Sequence, residues 1–229
     1  MGLFKRNPFG HILFLKTWLI RIAGIITHRR YRSFNELHIE GSEIIRSLPD
    51  TNVLFISNHQ TYFADVVAMF HVFNASLKGR ENNIKNVLYL WNPKLNLYYV
   101  AAKDTENIKI ALEDGWVITF PQGTTRSFKP VRKGTAHIIL QHKPIVVPIV
   151  IDGFRRSFDR KGLRIKKKGI LQSFVIKEPL KIDYENATVD EVVEMIEFAI
   201  EQHPSLLKVI PAEELDEKAK LDRERMWKY

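Results

Sequence analysis

Three short runs of this 229-residue chain are almost wholly apolar, and each is bounded by polar or turn-forming residues. Residues 52–57 read Asn-Val-Leu-Phe-Ile-Ser after Pro49-Asp50; residues 116–120 read Trp-Val-Ile-Thr-Phe before Pro121-Gln122-Gly123; residues 145–151 read Ile-Val-Val-Pro-Ile-Val-Ile. A strand solvated on one face alternates polar and apolar side chains. A strand apolar at nearly every position needs cover on both faces, which is the situation of a parallel sheet. Helical segments are expected between these runs: residues 65–73, with Val66, Met69, Phe70 and Phe73 on one side; residues 107–113, closed by Gly115; and residues 134–141. Apolar strands alternating with helices predict an α/β fold, a mainly parallel central sheet flanked by helices.

Weaker signals fill in the remainder. Residues 86–91 and 97–102 read as strands around the Asn92-Pro93 turn, and residues 169–176 alternate towards a last strand. Pro148 predicts an edge or bulged position for its strand, because proline donates no ladder hydrogen bond. Thr188 with Glu191 predicts a capping box opening a helix that ends near Gln202. The charged stretch from Glu213 predicts a solvated helix.

The charge is uneven. The formal net charge is +9, yet residues 1–32 hold Lys5, Arg6, Lys16, Arg21, Arg29, Arg30 and Arg32 with no acid. A basic arm on a near-neutral body points to an anionic surface. Within the arm, residues 12–26 are mostly Ile and Leu with Phe14 and Trp18, interrupted by Lys16 and Arg21. A spanning helix needs about 20 largely apolar residues. The run is shorter, and no small-residue cleavage site follows it, as a secretory signal would require. An interfacial membrane helix with snorkelling basic side chains is the expectation; a helix packed on the protein's own core is the other reading. The chain is thus expected to divide into an arm at 1–32, a folded domain at 33–210 and a charged tail at 211–229. Peripheral attachment at the cytoplasmic face of a membrane follows from that division.

The absence of cysteine removes thiolate metal sites, cysteine nucleophiles and iron–sulfur clusters. The eight histidines are dispersed, with no spacing that suggests a metal site. No Gly-rich nucleotide loop and no nucleic-acid motif is recognisable.

In a parallel sheet the functional groups lie in the loops after the strands. Two such loops are chemically rich. One is Ser57-Asn58-His59-Gln60-Thr61-Tyr62-Phe63-Ala64-Asp65; the other is Phe120-Pro121-Gln122-Gly123-Thr124-Thr125-Arg126-Ser127. A histidine at a strand end serves as a general base when a carboxylate orients it. It serves equally as a cap for the following helix, and the pair by itself leaves both readings open. The second loop suits an anion.

The motifs Asn58-His59-Gln60, Phe120-Pro121-Gln122-Gly123-Thr124, Arg132-Lys133-Gly134 and Val147-Pro148-Ile149-Val150-Ile151, in this order, resemble the PlsC-type lysophospholipid acyltransferases, the glycerolipid acyltransferase family. The resemblance covers roughly residues 30–185. It implies a glycerol-3-phosphate acyltransferase-like fold. It also implies transfer of a fatty acyl group from acyl-CoA or acyl-carrier protein to the hydroxyl of a lysolipid, with no cofactor beyond that co-substrate. His59 would be the base and Asp65 its orienting carboxylate. The acceptor would be held by Asn58, Gln60, Thr61, Pro121, Gln122, Gly123, Thr124, Thr125, Arg126 and Lys133. The implied partners are a membrane lipid surface and an acyl-carrier protein or acyl-CoA, with no nucleic acid.

The chain departs from the family pattern in three places. The spacing is His-x5-Asp rather than His-x4-Asp. On a continuous helix one added residue rotates the acid by 100°, so the extra residue has to be absorbed in the turn before the helix. Gln122 stands where the family has Glu, and Thr125 displaces Arg126 by one place. A strand and helix normally found in the middle of the domain are missing. These departures keep a second reading open, a catalytically impaired lipid-binding protein of the same fold. A thioesterase, with water as acceptor, is a third. Finally, Arg155, Arg156, Arg160, Lys161, Arg164, Lys166, Lys167 and Lys168 crowd one stretch against Asp159. That stretch reads as a solvated loop or as a contact for anionic lipid or an acidic carrier.

Overall fold

A computed structural model describes residues 36–79 and 97–207. The expected strand at residues 86–91, the basic arm and the charged tail lie outside these residues. Within them the elements run β1 (Glu36–Glu40), α1 (Ser42–Ser47), β2 (Val53–Ser57), α2 (Ala64–Leu77), β3 (Leu97–Tyr99), α3 (Thr105–Asp114), β4 (Trp116–Thr119), α4 (Lys133–His142), β5 (Ile145–Asp152), α5 (Phe154–Ser157), β6 (Leu171–Ile176) and α6 (Val189–Ala199).

Among the described residues the strands form one sheet in the order β1-β6-β5-β2-β4-β3. Neighbours are parallel except β5 and β6, which run antiparallel. The sequence expectation of a mainly parallel sheet flanked by helices describes this architecture. β2 and β4 are buried at every position, as their unbroken apolar character demands. Successive residues of β2 feed opposite layers. Val53 and Phe55 pack with Ala68, Met69, Val72 and Phe73 of α2 and with Trp116. Leu54 and Ile56 pack with Ile108 and Leu112 of α3, Ala136 and Ile139 of α4, and Val192 and Ile196 of α6.

Adjacent strands β2 and β4 thus send their following helices, α2 and α4, to opposite faces of the sheet. The loops that leave their carboxyl ends part there, which opens the crevice where α/β sheets place their ligands. Both chemically rich loops stand at that point.

The sequence reading is corrected in places. β5 is an interior strand, between β2 and β6. Pro148 is tolerated because its nitrogen faces the β6 side, where the ladder ends at Ile149 and Ile176. The Lys177 amide donates to the Pro148 carbonyl at 2.9 Å, but the proline has no N–H to reciprocate, and pairing stops. β3 is three residues long rather than six, and α2 runs four residues beyond Phe73. β1 and α1 were not expected. The capping box at Thr188 and Glu191 is formed in both directions.

Candidate active site

The loop after β2 is tied at every side chain that bears on His59. Asn58 is buried and clamps β5 with both ends of its amide: Nδ2 donates to the Ile151 carbonyl at 2.8 Å, and the Ile151 amide donates to Oδ1 at 2.8 Å. Gln60 repeats the device one step out. Its Nε2 donates to Ile151 O and to Asp152 Oδ1, each at 3.1 Å, and its Oε1 accepts from the Arg155 amide at 3.1 Å. Burial pushes the Asp152 carboxyl up, but the hydrogen bonds from Gln60, Arg156 and the Gly153 amide outweigh it and hold Asp152 below the usual carboxylate range.

His59 lies between these clamps, 7% exposed, with its Nδ1 3.1 Å from Oδ2 of the fully buried Asp65. The same Oδ2 accepts from the amides of Gln60 at 2.5 Å and Thr61 at 2.9 Å, and Oδ1 accepts from Thr61 Oγ1 at 2.7 Å. The extra residue of the His-x5-Asp spacing is taken up in the bends at residues 60–63, ahead of α2. Asp65 therefore sits in the first turn of α2 and still faces the imidazole. Phe120 stacks on the His59 ring, with centroids 3.8 Å apart and planes 19° off parallel. Tyr62 meets the ring edge-on at 6.1 Å. Tyr99 packs on Phe120 at 5.9 Å. Burial raises the Tyr99 hydroxyl pKa, and the Asp65 carboxylate raises it further.

The loop after β4 is built differently. Gln122 is buried and donates from Nε2 to the Lys129 carbonyl at 2.7 Å and to Gln202 Oε1 at 3.4 Å. Gly123 has φ +64°, a left-handed backbone that favours glycine, and it lies against the Arg132 guanidinium. Thr124 Oγ1 accepts from the Arg126 amide at 3.2 Å, and the Arg126 side chain is exposed. Arg155 reaches across from α5, donating to the Thr125 carbonyl and, at 3.2 Å, to Ser127 Oγ. Loss of solvation lowers the Arg155 pKa, and the Asp65 and Asp152 carboxylates oppose that shift.

The structure thus brings His59, Asp65 and Thr61 into one network. It joins Asn58 and Gln60 to that loop as clamps on β5. Pro121 accepts from the Arg132 amide at 3.0 Å. Lys133 is turned elsewhere, its Nζ 2.7 Å from Asp190 Oδ1 at the start of α6. Neighbours of the site that stood outside the expected set include Phe120, Tyr99 and Arg155. Phe120 and Arg155 carried a signal, one as the first residue of the loop motif and the other in the basic stretch. Tyr99 carried none.

An imidazole whose Nδ1–H is donated to a fixed carboxylate keeps its Nε2 lone pair for a substrate proton, which is the arrangement of a general base.

No family model matches the chain. In sequence it is similar to a 1-acyl-sn-glycerol-3-phosphate acyltransferase of Cocos nucifera, 29% identical over 182 residues that take in 71% of this chain. The chain spans about half the length of that curated relative, 56% of it. In fold it is similar to the 1-acyl-sn-glycerophosphate (LPA) acyltransferase PlsC of Thermotoga maritima, with a TM-score of 0.52, 19% identity, and coverage of 85% of this chain and 81% of that one. At that identity the second likeness speaks for the fold alone. Both proteins are named as acyltransferases acting on 1-acylglycerophosphate, and this chain shares the fold of the second.

Proposed function

We propose that the chain is an O-acyltransferase of membrane lipid synthesis. It moves a fatty acyl group from acyl-CoA or acyl-carrier protein to the hydroxyl of a lysolipid, 1-acylglycerol-3-phosphate or a lyso-aminolipid. The observation that carries this reading is the bond from buried His59 to Asp65 at the carboxyl ends of β2 and β4. The names of the two similar proteins support the reaction class.

In this scheme His59 Nε2 takes the proton of the acceptor hydroxyl. The resulting alkoxide attacks the thioester carbonyl, and a new C–O bond forms. The tetrahedral intermediate collapses, the C–S bond breaks, and the thiolate leaves and regains the proton from the imidazolium. Asp65 holds the tautomer and offsets the imidazolium charge while it exists. No covalent acyl-enzyme is required, which suits a chain without cysteine. Arg126, exposed beside Thr124, offers charge-assisted hydrogen bonds to a phosphate or carboxylate head group.

The second reading, an impaired lipid-binding protein, is favoured by one observation. The Gln122 amide is spent on Lys129 and Gln202, so the second loop has lost the acid that its family pattern carries.

The test is acyl transfer in detergent micelles, with labelled acyl-CoA and acyl-carrier protein offered against lysophosphatidic acid and a lyso-aminolipid. His59→Ala is expected to lower the rate at least about a hundredfold while the protein stays folded. An unchanged rate in the variant overturns the mechanism. A folded wild-type protein that yields no product with any pair favours the second reading.

A further inference from the structure

The basic stretch after β5 is folded against the His59 loop. Phe158 and Ile165 pair as an antiparallel bridge, and Asp159 Oδ1 accepts from the amides of Leu163 at 2.8 Å and Arg164 at 3.0 Å. Residues 158–165 thereby form a narrow hairpin. Its crest is hydrogen-bonded to the loop beside His59: the Tyr62 amide donates to the Arg160 carbonyl at 3.1 Å, and the Phe63 amide donates to the Lys161 carbonyl at 3.0 Å. Gly162, at φ +75°, approaches so closely that a Cβ would lie 2.4 Å from the Ala64 nitrogen. The Arg160 guanidinium lies 5.5 Å from the Tyr62 ring centroid, and its Nη2 is 3.0 Å from the Tyr62 hydroxyl.

This joint projection carries large apolar side chains into solvent. Tyr62 is 42% exposed, Phe63 56% and Leu163 48%. Around them Arg160, Lys161, Arg164, Lys166, Lys167 and Lys168 are all exposed, against the single acid Asp159. The Asp159 carboxylate is already engaged by backbone amides. Exposed aromatic and aliphatic side chains ringed by cations fit a bilayer interface, where rings and aliphatic groups sit among the head groups and lysines meet anionic lipid. An acidic carrier protein would match the cations but would leave three apolar side chains to find a separate purpose.

We propose that Tyr62, Phe63 and Leu163, with the surrounding lysines and arginines, are a docking wedge for an anionic lipid bilayer. The wedge is continuous with the loop that holds His59, so docking brings the mouth of the site to the lipid surface from which an acceptor would be drawn. This purpose rests on the acyltransferase reading; the docking itself is read without activity.

The chain has no cysteine, so Leu163→Cys gives one labelling position for an environment-sensitive dye. Glu185→Cys, on the exposed turn where Glu185 pairs with Lys143 ahead of β5, gives a control at the other end of the sheet. The full chain is mixed with vesicles of phosphatidylcholine alone or with phosphatidylglycerol. The expected result is a blue shift at position 163 with the anionic vesicles only, quenched by spin-labelled lipid, and silence at position 185. Replacing Lys166, Lys167 and Lys168 by Ser is expected to weaken that response at least tenfold, since each cation near an anionic surface contributes about fivefold to partition. The proposal is overturned if the chain sediments with vesicles while the dye at 163 stays unchanged, or if neutral vesicles act as well as anionic ones. It is overturned equally if no vesicle binds, or if acyl-carrier protein alone shifts the dye. Failure here leaves the micelle assay intact, and failure of the micelle assay leaves the vesicle result intact.

Discussion

The loops after β2 and β4 face the same crevice and have opposite constructions. In the first, Asn58, Gln60, Thr61 and Asp65 all bond to backbone, to one another or to the histidine, and Asp65 receives four hydrogen bonds within one turn of chain. In the second, Gln122 fixes the base of the loop and Arg155 holds Thr125 and Ser127, while the Arg126 side chain between them extends into solvent. Chemistry at one atom requires a group held to a fraction of an ångström, because small misplacements are costly in rate. Recognition of a head group tolerates a long side chain that settles on contact. On the proposed function, the difference between the loops would divide the labour that way.

The comparison is sharpest at Asp65. Asp65→Asn keeps the size, and its carbonyl can still accept from Gln60 and Thr61 while its amide faces the Thr61 hydroxyl. Acyl transfer should therefore fall at least about a hundredfold, while a urea titration shows a loss of only about 1.5–3 kcal/mol, the worth of a hydrogen bond to a charged group. Equal losses in both would mean that the carboxylate serves the fold alone. The next effect is expected at Gln122. Gln122→Glu restores the family's residue but sets a buried carboxylate against the Lys129 carbonyl it once donated to. A loss of about 2 kcal/mol follows from an unmade buried hydrogen bond, and it should be larger at neutral pH than at pH 4, where the acid can donate again. A stabilised variant would show that the loop is not closed by that amide. The smallest effect on stability belongs to Arg126→Ala, within about 0.5 kcal/mol for an exposed side chain. The same substitution should raise KM for an anionic acceptor severalfold and leave kcat nearly unchanged. A fall in kcat with constant KM would contradict the division between the loops.

How legible this was depends on the kind of signal. β2, β4 and β5 could be read because burial on both faces leaves little room for polar residues. α6 could be read because a capping box is local. β1 was missed because Glu36-Leu37-His38-Ile39-Glu40 is, among the described residues, an edge strand beside β6, and carries too few apolar residues to stand out. Pro148 misled because proline bars a hydrogen bond on one side only, and the sequence does not say which side faces a partner. In the site, the His59 and Asp65 pairing was conditional on a turn, and the bends at residues 60–63 meet the condition. Asn58 and Gln60 looked like substrate contacts. Their amides instead grip Ile151 and Asp152, more than ninety positions along the chain. A loop amide looks the same in sequence whether it faces a ligand or a distant strand. Lys133 was matched by motif, and its ammonium meets Asp190 on another helix.

The grip of Asn58 on Ile151, and of the residue 62–63 backbone on residues 160–161, has a consequence for how the protein comes into being. β2 and its histidine are made early in synthesis, but what squares that loop to the sheet is made about a hundred residues later. Such distant closures come late in folding, because loop entropy must be overcome first. A chain still on the ribosome and shorter than Arg160 has His59 and Asp65 but not the backbone hydrogen bonds that hold residues 62–63 to the hairpin. The anchors of that loop are completed only as the last third of the protein is made.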